Sequence, residues 1–150
     1  MEITTTANTQ GGHIAGVPWI LDLDSGQTYQ VMALDPNADF TGTTVVGTPL
    51  SGSCRPFAVF SGAVCTNIPV GCTACDHICE QNLPTAVWGT TYYSVPFATT
   101  TSYSYKILSH LNGTQVSVNG GAPILLNAGG ISSVASFAGP ACFTGNQPFS

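Results

Sequence analysis

The chain has 150 residues, 6% of them charged, and a formal net charge of −5. Arg55 and Lys106 are its only fixed cations. That excludes a basic stripe for a nucleic-acid backbone and electrostatic attachment to anionic lipid, and no apolar run approaches the ~20 residues of a bilayer-spanning helix. At 43% hydrophobic residues the chain can bury a core, and it lacks the high charge that accompanies disorder.

Met1-Glu2-Ile3-Thr4 has neither the basic start nor the apolar core of a signal peptide. Six cysteines in a Thr-rich, charge-poor chain nevertheless point to an oxidising compartment. The expectation is therefore a secreted or cell-surface segment whose export signal lies upstream. Residues Ile20–Leu23 and Thr28–Ala33 flank Asp24-Ser25-Gly26 and predict a hairpin. Thr43–Val46 is short and β-branched, and the unbroken apolar run Phe57–Phe60 predicts a central strand. Asp76–Leu83 is the one stretch read as a short helical turn, capped by Asp76 and ended by Pro84. Strands are predicted at Tyr92–Phe97, Tyr103–Leu108 and Gln115–Val118. Asn119-Gly120-Gly121 then turns the chain back into Pro123–Leu126, and Ile131–Phe137 alternates apolar and polar residues.

Two stretches are nearly repeated. Ile20-Leu21-Asp22-Leu23-Asp24-Ser25-Gly26 reads like Ile124-Leu125-Leu126-Asn127-Ala128-Gly129, and Cys54-Arg55-Pro56-Phe57 has a weak echo between Cys142 and Ser150. The predicted fold is all-β: two pseudo-repeated antiparallel β-sandwich-like units with one short helical turn near Asp76–Leu83. Residues 1–70 form the first unit, 71–89 a cysteine-rich connector and 90–150 the second unit, whose closing strand is expected to be incomplete at the C-terminus.

Leu23-Asp24-Ser25-Gly26-Gln27-Thr28-Tyr29, Asp39-Phe40-Thr41-Gly42-Thr43 and Arg55-Pro56-Phe57-Ala58-Val59-Phe60-Ser61-Gly62 follow one another in order. Cys75-Asp76-His77-Ile78-Cys79-Glu80-Gln81-Asn82-Leu83-Pro84, then Trp88-Gly89, Gly113-Thr114-Gln115-Val116 and Leu126-Asn127-Ala128-Gly129, continue the series. This series resembles the N-terminal domain of IgG Fc-binding proteins across nearly the whole chain. The resemblance implies an all-β, secreted or surface-displayed, non-enzymatic module without a cofactor. The clean Asp-Ser-Gly and Asn-Ala-Gly turns resemble the bacterial surface or adhesin-like members more closely. No residue motif here carries antibody binding over. Cys54, Cys72, Cys79 and Cys142 depart from the family pattern.

The resemblance implies a Cys65–Cys75 bridge. The repeat suggests Cys54 with Cys142, which leaves Cys72 with Cys79, and other connectivities stay open. Each bridge is worth about 2–4 kcal/mol. Cys72, Cys75, His77 and Cys79 also have the ligand types of a tetrahedral zinc site, but their spacing is cramped and an oxidising compartment favours disulfides. Asp35, Asn37 and Asp39 place oxygens at alternate positions like the start of a calcium loop. Phe40 and Val46 stand where that loop needs Gly and an acid, so a turn with Asx hydrogen bonds is preferred.

His77 beside Asp76 and Glu80 suggests acid–base chemistry, with no nucleophile or oxyanion donor to complete it; His13 and His110 read as isolated. Trp19, Trp88, Tyr92, Tyr93, Tyr103 and Tyr105 are read as packing residues ahead of a sugar-stacking face. Asn112-Gly113-Thr114 fits an N-glycan acceptor and equally a turn, and the Thr4–Thr6 and Thr99–Thr101 clusters suit O-linked sugars. The function expected is a structural or adhesive module that self-assembles into a homo-oligomer or filament, a neighbouring chain covering the strand edge left open near Ser150. The alternative is recognition of a host glycoprotein or glycan.

Overall fold

The computed structural model describes residues 1–49, 55–67, 74–99 and 103–150. The chain divides into two compact units, Met1–Phe57 and Ala58–Ser150. The second takes in the stretch 71–89 that the sequence sets apart as a connector. The described residues are nearly all β, in several antiparallel sheets. No described helix is long and apolar enough to cross a membrane.

In the first unit, β1 (Glu2–Thr4) lies between β2 (Trp19–Ile20) and β3 (Thr44–Val46). Ile3 opposes Trp19 on one side and Val45 on the other, and is buried. Much of the rest is loop held by specific hydrogen bonds. The Asp24-Ser25-Gly26 turn forms, with the Gln27 amide donating to the Asp24 carbonyl at 3.0 Å and Gly26 at φ +83°. The hairpin predicted around it does not. Ile20 pairs with β1, and residues 32–34 pair with 8–10 through Gln10 N to Met32 O (2.9 Å), Leu34 N to Asn8 O (2.8 Å) and a Thr9–Ala33 bridge. Both arms are taken by other partners, so no ladder is left for them to share.

The second unit opens with a ribbon of β4 (Phe60–Thr66) and β5 (Asp76–Gln81). Two expectations change here. The segment read as a helical turn is a strand over Asp76–Gln81, and the single helical turn among the described residues falls at Thr85–Val87, after Pro84. A helix this short cannot hold itself, whereas β4 offers a whole ladder of partners. The central strand foreseen at Phe57–Phe60 starts only at Phe60. It has β5 as its one partner among the described residues and leaves Phe57 and Phe60 exposed.

Beyond the ribbon follow β6 (Gly89–Ser94), β7 (Tyr103–Leu108), β8 (Thr114–Val118), β9 (Ile124–Leu126), β10 (Ile131–Phe137) and β11 (Ala141–Phe149). One sheet has the order β6-β11-β8-β9, and β10 pairs with β7 in another. Their inner residues meet in one core: Ile107, Val116, Leu126, Ala141, Phe143 and Phe149 are buried, with Tyr105, Val118, Ile124, Val134 and Phe137 packed against them. The aromatic centre is edge-on, with Tyr105 and Phe143 ring centroids 5.0 Å apart, a favourable ring geometry.

The strand expected to be unfinished near Ser150 is the longest described. β11 is paired on both sides, with β6 and with β8. Ser150 exchanges two backbone hydrogen bonds with Leu108 (2.7 and 3.0 Å), so the end of β11 also joins β7. Gly145 and Pro148 hid this strand from the sequence reading, since both weaken a strand pattern. A register shift against β6 between Thr144 and Phe149 accommodates them, and the Phe149 ring packs over Gly145.

The repeated motif is real at its turns. Gly130 N donates to Asn127 O at 2.7 Å with Gly129 at φ +74°, matching the geometry at Asp24–Gln27. The positive φ at the third position is what a type II turn requires. Outside the turns the copies differ, because β9 ladders with β8 while the first copy ladders only at Ile20.

Core placement gives a direct expectation. Phe143→Ala, removing a ring 5% exposed, lowers the stability of the second unit by about 3–5 kcal/mol. Tyr93→Ala, at a side chain 77% exposed on β6, changes it by no more than about 0.5 kcal/mol. Denaturant midpoints of the two variants make the comparison, and equal losses would contradict this core.

Candidate functional site

The β4–β5 ribbon of the second unit is largely exposed. All six residues of β5 are exposed, as are Phe60 (63%) and Val64 (84%) on β4. Its register runs Phe60↔Gln81, Ser61↔Glu80, Gly62↔Cys79 and Ala63↔Ile78, then shifts before Thr66↔Asp76. Side chains alternate across a ribbon, so Phe60 lies on one face and Ile78 on the other. Apolar groups thus meet solvent on both sides, and both outer edges are without a strand partner among the described residues.

A two-stranded ribbon is marginal in water, so its persistence needs a cause. Cys65 and Cys75 are joined by a disulfide, with Cα atoms 5.1 Å apart, inside the range a disulfide spans. At the other end the Asn82 amide donates to Val59 O (2.8 Å) and the Ser61 hydroxyl to Asn82 Oδ1 (3.0 Å). Between them the strands approach closely at Gly62, where a Cβ would sit 2.3 Å from the Ile78 carbonyl oxygen. Only glycine fits there without moving the strand.

The disulfide removes Cys75 from the zinc set considered above. Cys79 is exposed on β5 and Cys142 is half-buried on β11; the pairings Cys54–Cys142 and Cys72–Cys79 lie outside the described residues, since Cys54 and Cys72 do. Among the described residues no three His, Cys, Asp or Glu side chains converge as a metal site. The Asp76 carboxylate accepts the backbone amide of His77 at 2.8 Å, an attachment to the main chain that does not orient the imidazole.

At the other foreseen positions the structure assigns local roles. Asp35 Oδ1 accepts the Asn37 amide (2.9 Å) and Asp39 Oδ1 the Thr41 amide (2.8 Å), both Asx turns. Asn112 Oδ1 accepts the Ala128 amide (3.0 Å), while Thr114 is fully buried with its hydroxyl 2.6 Å from Ser109 Oγ. The Asn112-Gly113-Thr114 triplet therefore works as a turn that locks β8 to its neighbours. The aromatic side chains of the second unit have separate partners. Tyr105 packs in the core, Tyr92 OH donates to Phe149 O (2.7 Å), Trp88 Nε1 to Leu83 O (3.2 Å) and Tyr103 OH to Phe97 O (3.0 Å).

A second feature escaped the sequence reading. His13 is not isolated: its ring stacks on Trp19 at 3.7 Å and 3°, and Tyr29 meets Trp19 edge-on at 5.9 Å. Beside them lies an open cavity of about 120 Å³ in the first unit. Nothing in the local pattern links positions 13, 19 and 29; only the folded loops bring them together. His110 likewise has an aromatic neighbour, the edge of Trp88 at 5.1 Å.

The covalent tie makes the ribbon separable from the core by experiment. Replacing Cys65 and Cys75 with Ser opens a short loop (sequence separation 10) and costs about 2–3 kcal/mol, felt locally. Hydrogen exchange of β4 and β5 amides then accelerates while β8 and β11 amides stay protected. Uniform acceleration across both regions would mean that the ribbon and the core unfold together.

The model of the IgGFc binding protein family matches residues 1–150. The IgGFc-binding protein of Homo sapiens is 32% identical over 95 residues, which are 63% of this chain and 2% of the relative. The chain thus spans about 2% of the length of the curated relative it matches. No solved structure matches. The relative is human and lends no support to the bacterial type suggested by the turn sequences. With a family match from the first residue to the last, the chain belongs to the IgGFc binding protein family.

Proposed function

We propose that this chain is an extracellular recognition module that holds a protein partner on the β4–β5 ribbon and does not transform it. The observation that carries this reading is the disulfide-tied ribbon with Phe60, Val64 and Ile78 exposed on it. Rigid apolar groups beside unpaired strand edges suit association: main-chain hydrogen bonds to an incoming strand give affinity, and side-chain pockets give selectivity. The disulfide fits an oxidising compartment. The human relative is named for binding IgG Fc, which makes Fc the first partner to try.

Self-assembly through the same edges is the competing reading. The pairing of β11 with both β6 and β8 lends that reading no support near Ser150.

Immobilised human Fc is the test surface, with Val64→Asp and Ile78→Asp as variants at exposed positions that leave the core untouched. The expected result is saturable binding by the parent chain, weakened about tenfold or more in each variant, with unchanged far-UV circular dichroism. Binding indifferent to both variants would remove the ribbon from the site. Absence of Fc binding together with concentration-dependent growth in sedimentation would favour self-assembly.

A further inference from the structure

We propose that the cavity in the first unit is a binding site for a single neutral sugar ring. This site is separate from the ribbon and does not depend on the ribbon's function.

The cavity is built from two crossing stretches of chain that are fixed to each other. Thr9 is the pivot: its amide donates to His13 O (3.0 Å), its Oγ1 accepts the His13 amide (3.0 Å), and its carbonyl accepts the Gly12 amide (3.1 Å). Thr9 is 3% exposed and bridges to Ala33, while Gln10 N donates to Met32 O. The frame is therefore set before any ligand arrives, which limits the ordering cost of binding.

Its lining combines two kinds of group. His13, backed by the parallel ring of Trp19, and Tyr29 supply aromatic surface. Gln10, Gln30 and the Tyr29 hydroxyl supply polar atoms, and none of these three side chains has a hydrogen-bond partner within the described residues. Each of them both donates and accepts. No Asp, Glu, Lys or Arg lines the cavity, so it holds no fixed charge to pair with a carboxylate, a phosphate or an ammonium group, and the His13 ring is engaged in its stack on Trp19.

That chemistry selects the ligand. An aliphatic or aromatic side chain would satisfy the rings but leave the carboxamides and the hydroxyl unpaired, which is unfavourable where water is displaced. A pyranose satisfies both: its C–H face lies on an aromatic ring and its hydroxyls pair with groups that donate and accept. The volume of about 120 Å³ is small beside the ~300–1,000 Å³ of sites that enclose drug-sized ligands. It suits one ring, such as the terminal residue of a glycan, bound shallowly with Kd on the order of 1 mM.

The test is a titration of the ¹⁵N-labelled chain with methyl glycosides of N-acetylglucosamine, galactose and mannose, followed by amide shifts. The expected result is saturable shifts confined to residues 9–13 and 29–32 for at least one glycoside, with little response to acetate or phosphate at equal ionic strength. Gln10→Ala and Gln30→Ala remove side chains with no internal partner, so the fold is kept, and each weakens the interaction by about fivefold. Tyr29→Phe, which deletes only the hydroxyl, weakens it similarly. Non-saturating shifts for all three sugars, or sugar binding untouched by all three variants, would overturn the proposal. Val64→Asp is expected to bind sugar normally, so failure here and failure at the ribbon are told apart.

Discussion

The second unit depends on β11 lying between β6 and β8. This strand contributes Ala141, Phe143 and Phe149 to the core and hydrogen-bonds along both edges. Its far end reaches Leu108 on β7, so one strand serves two sheets. Asn119 adds a clasp at the near end: its amide donates to Cys142 O and its side-chain oxygen accepts the Cys142 amide (2.7 Å). Burial of the aromatic rings drives the packing, and the two-sided pairing decides which residues face inward. A slip of one residue would turn Phe143 out to solvent.

The ribbon of β4 and β5 follows a different logic. It contributes nothing to that core, and a covalent bond takes the place of burial as the element that limits its freedom. The unit's stability is thus divided, with part from packing and part from sulfur. The division has a functional side. Surface that need not be buried to hold its shape is free to meet another molecule, and a stiff element loses little entropy when it does.

Much of the second unit was legible in the sequence. Tyr103–Leu108 and Ile131–Phe137 are strands over the ranges predicted, because alternation of apolar and polar residues between turn signals is a local property. The Asn119-Gly120 turn was legible for the same reason, with Asn119 at φ 51° as such a turn requires. β11 was hidden by Gly145 and Pro148, and β5 by a helix-like opening at Asp76 that tertiary pairing overrode. The first unit was the hardest to read, since its order comes from hydrogen bonds between distant loops. The ribbon's cysteines were visible through the family resemblance. The cavity was not, because Gln10, His13 and Tyr29 carry no motif and are neighbours only in three dimensions.

The Cys65–Cys75 bond also fixes how the chain would respond to being pulled. Tension applied along the backbone reaches the bond at Cys65, near the end of β4. At Cys65 that tension crosses directly through sulfur to Cys75, so the residues between them drop out of the load-bearing path. The paired ends of β4 and β5 therefore keep their separation whatever load the chain carries.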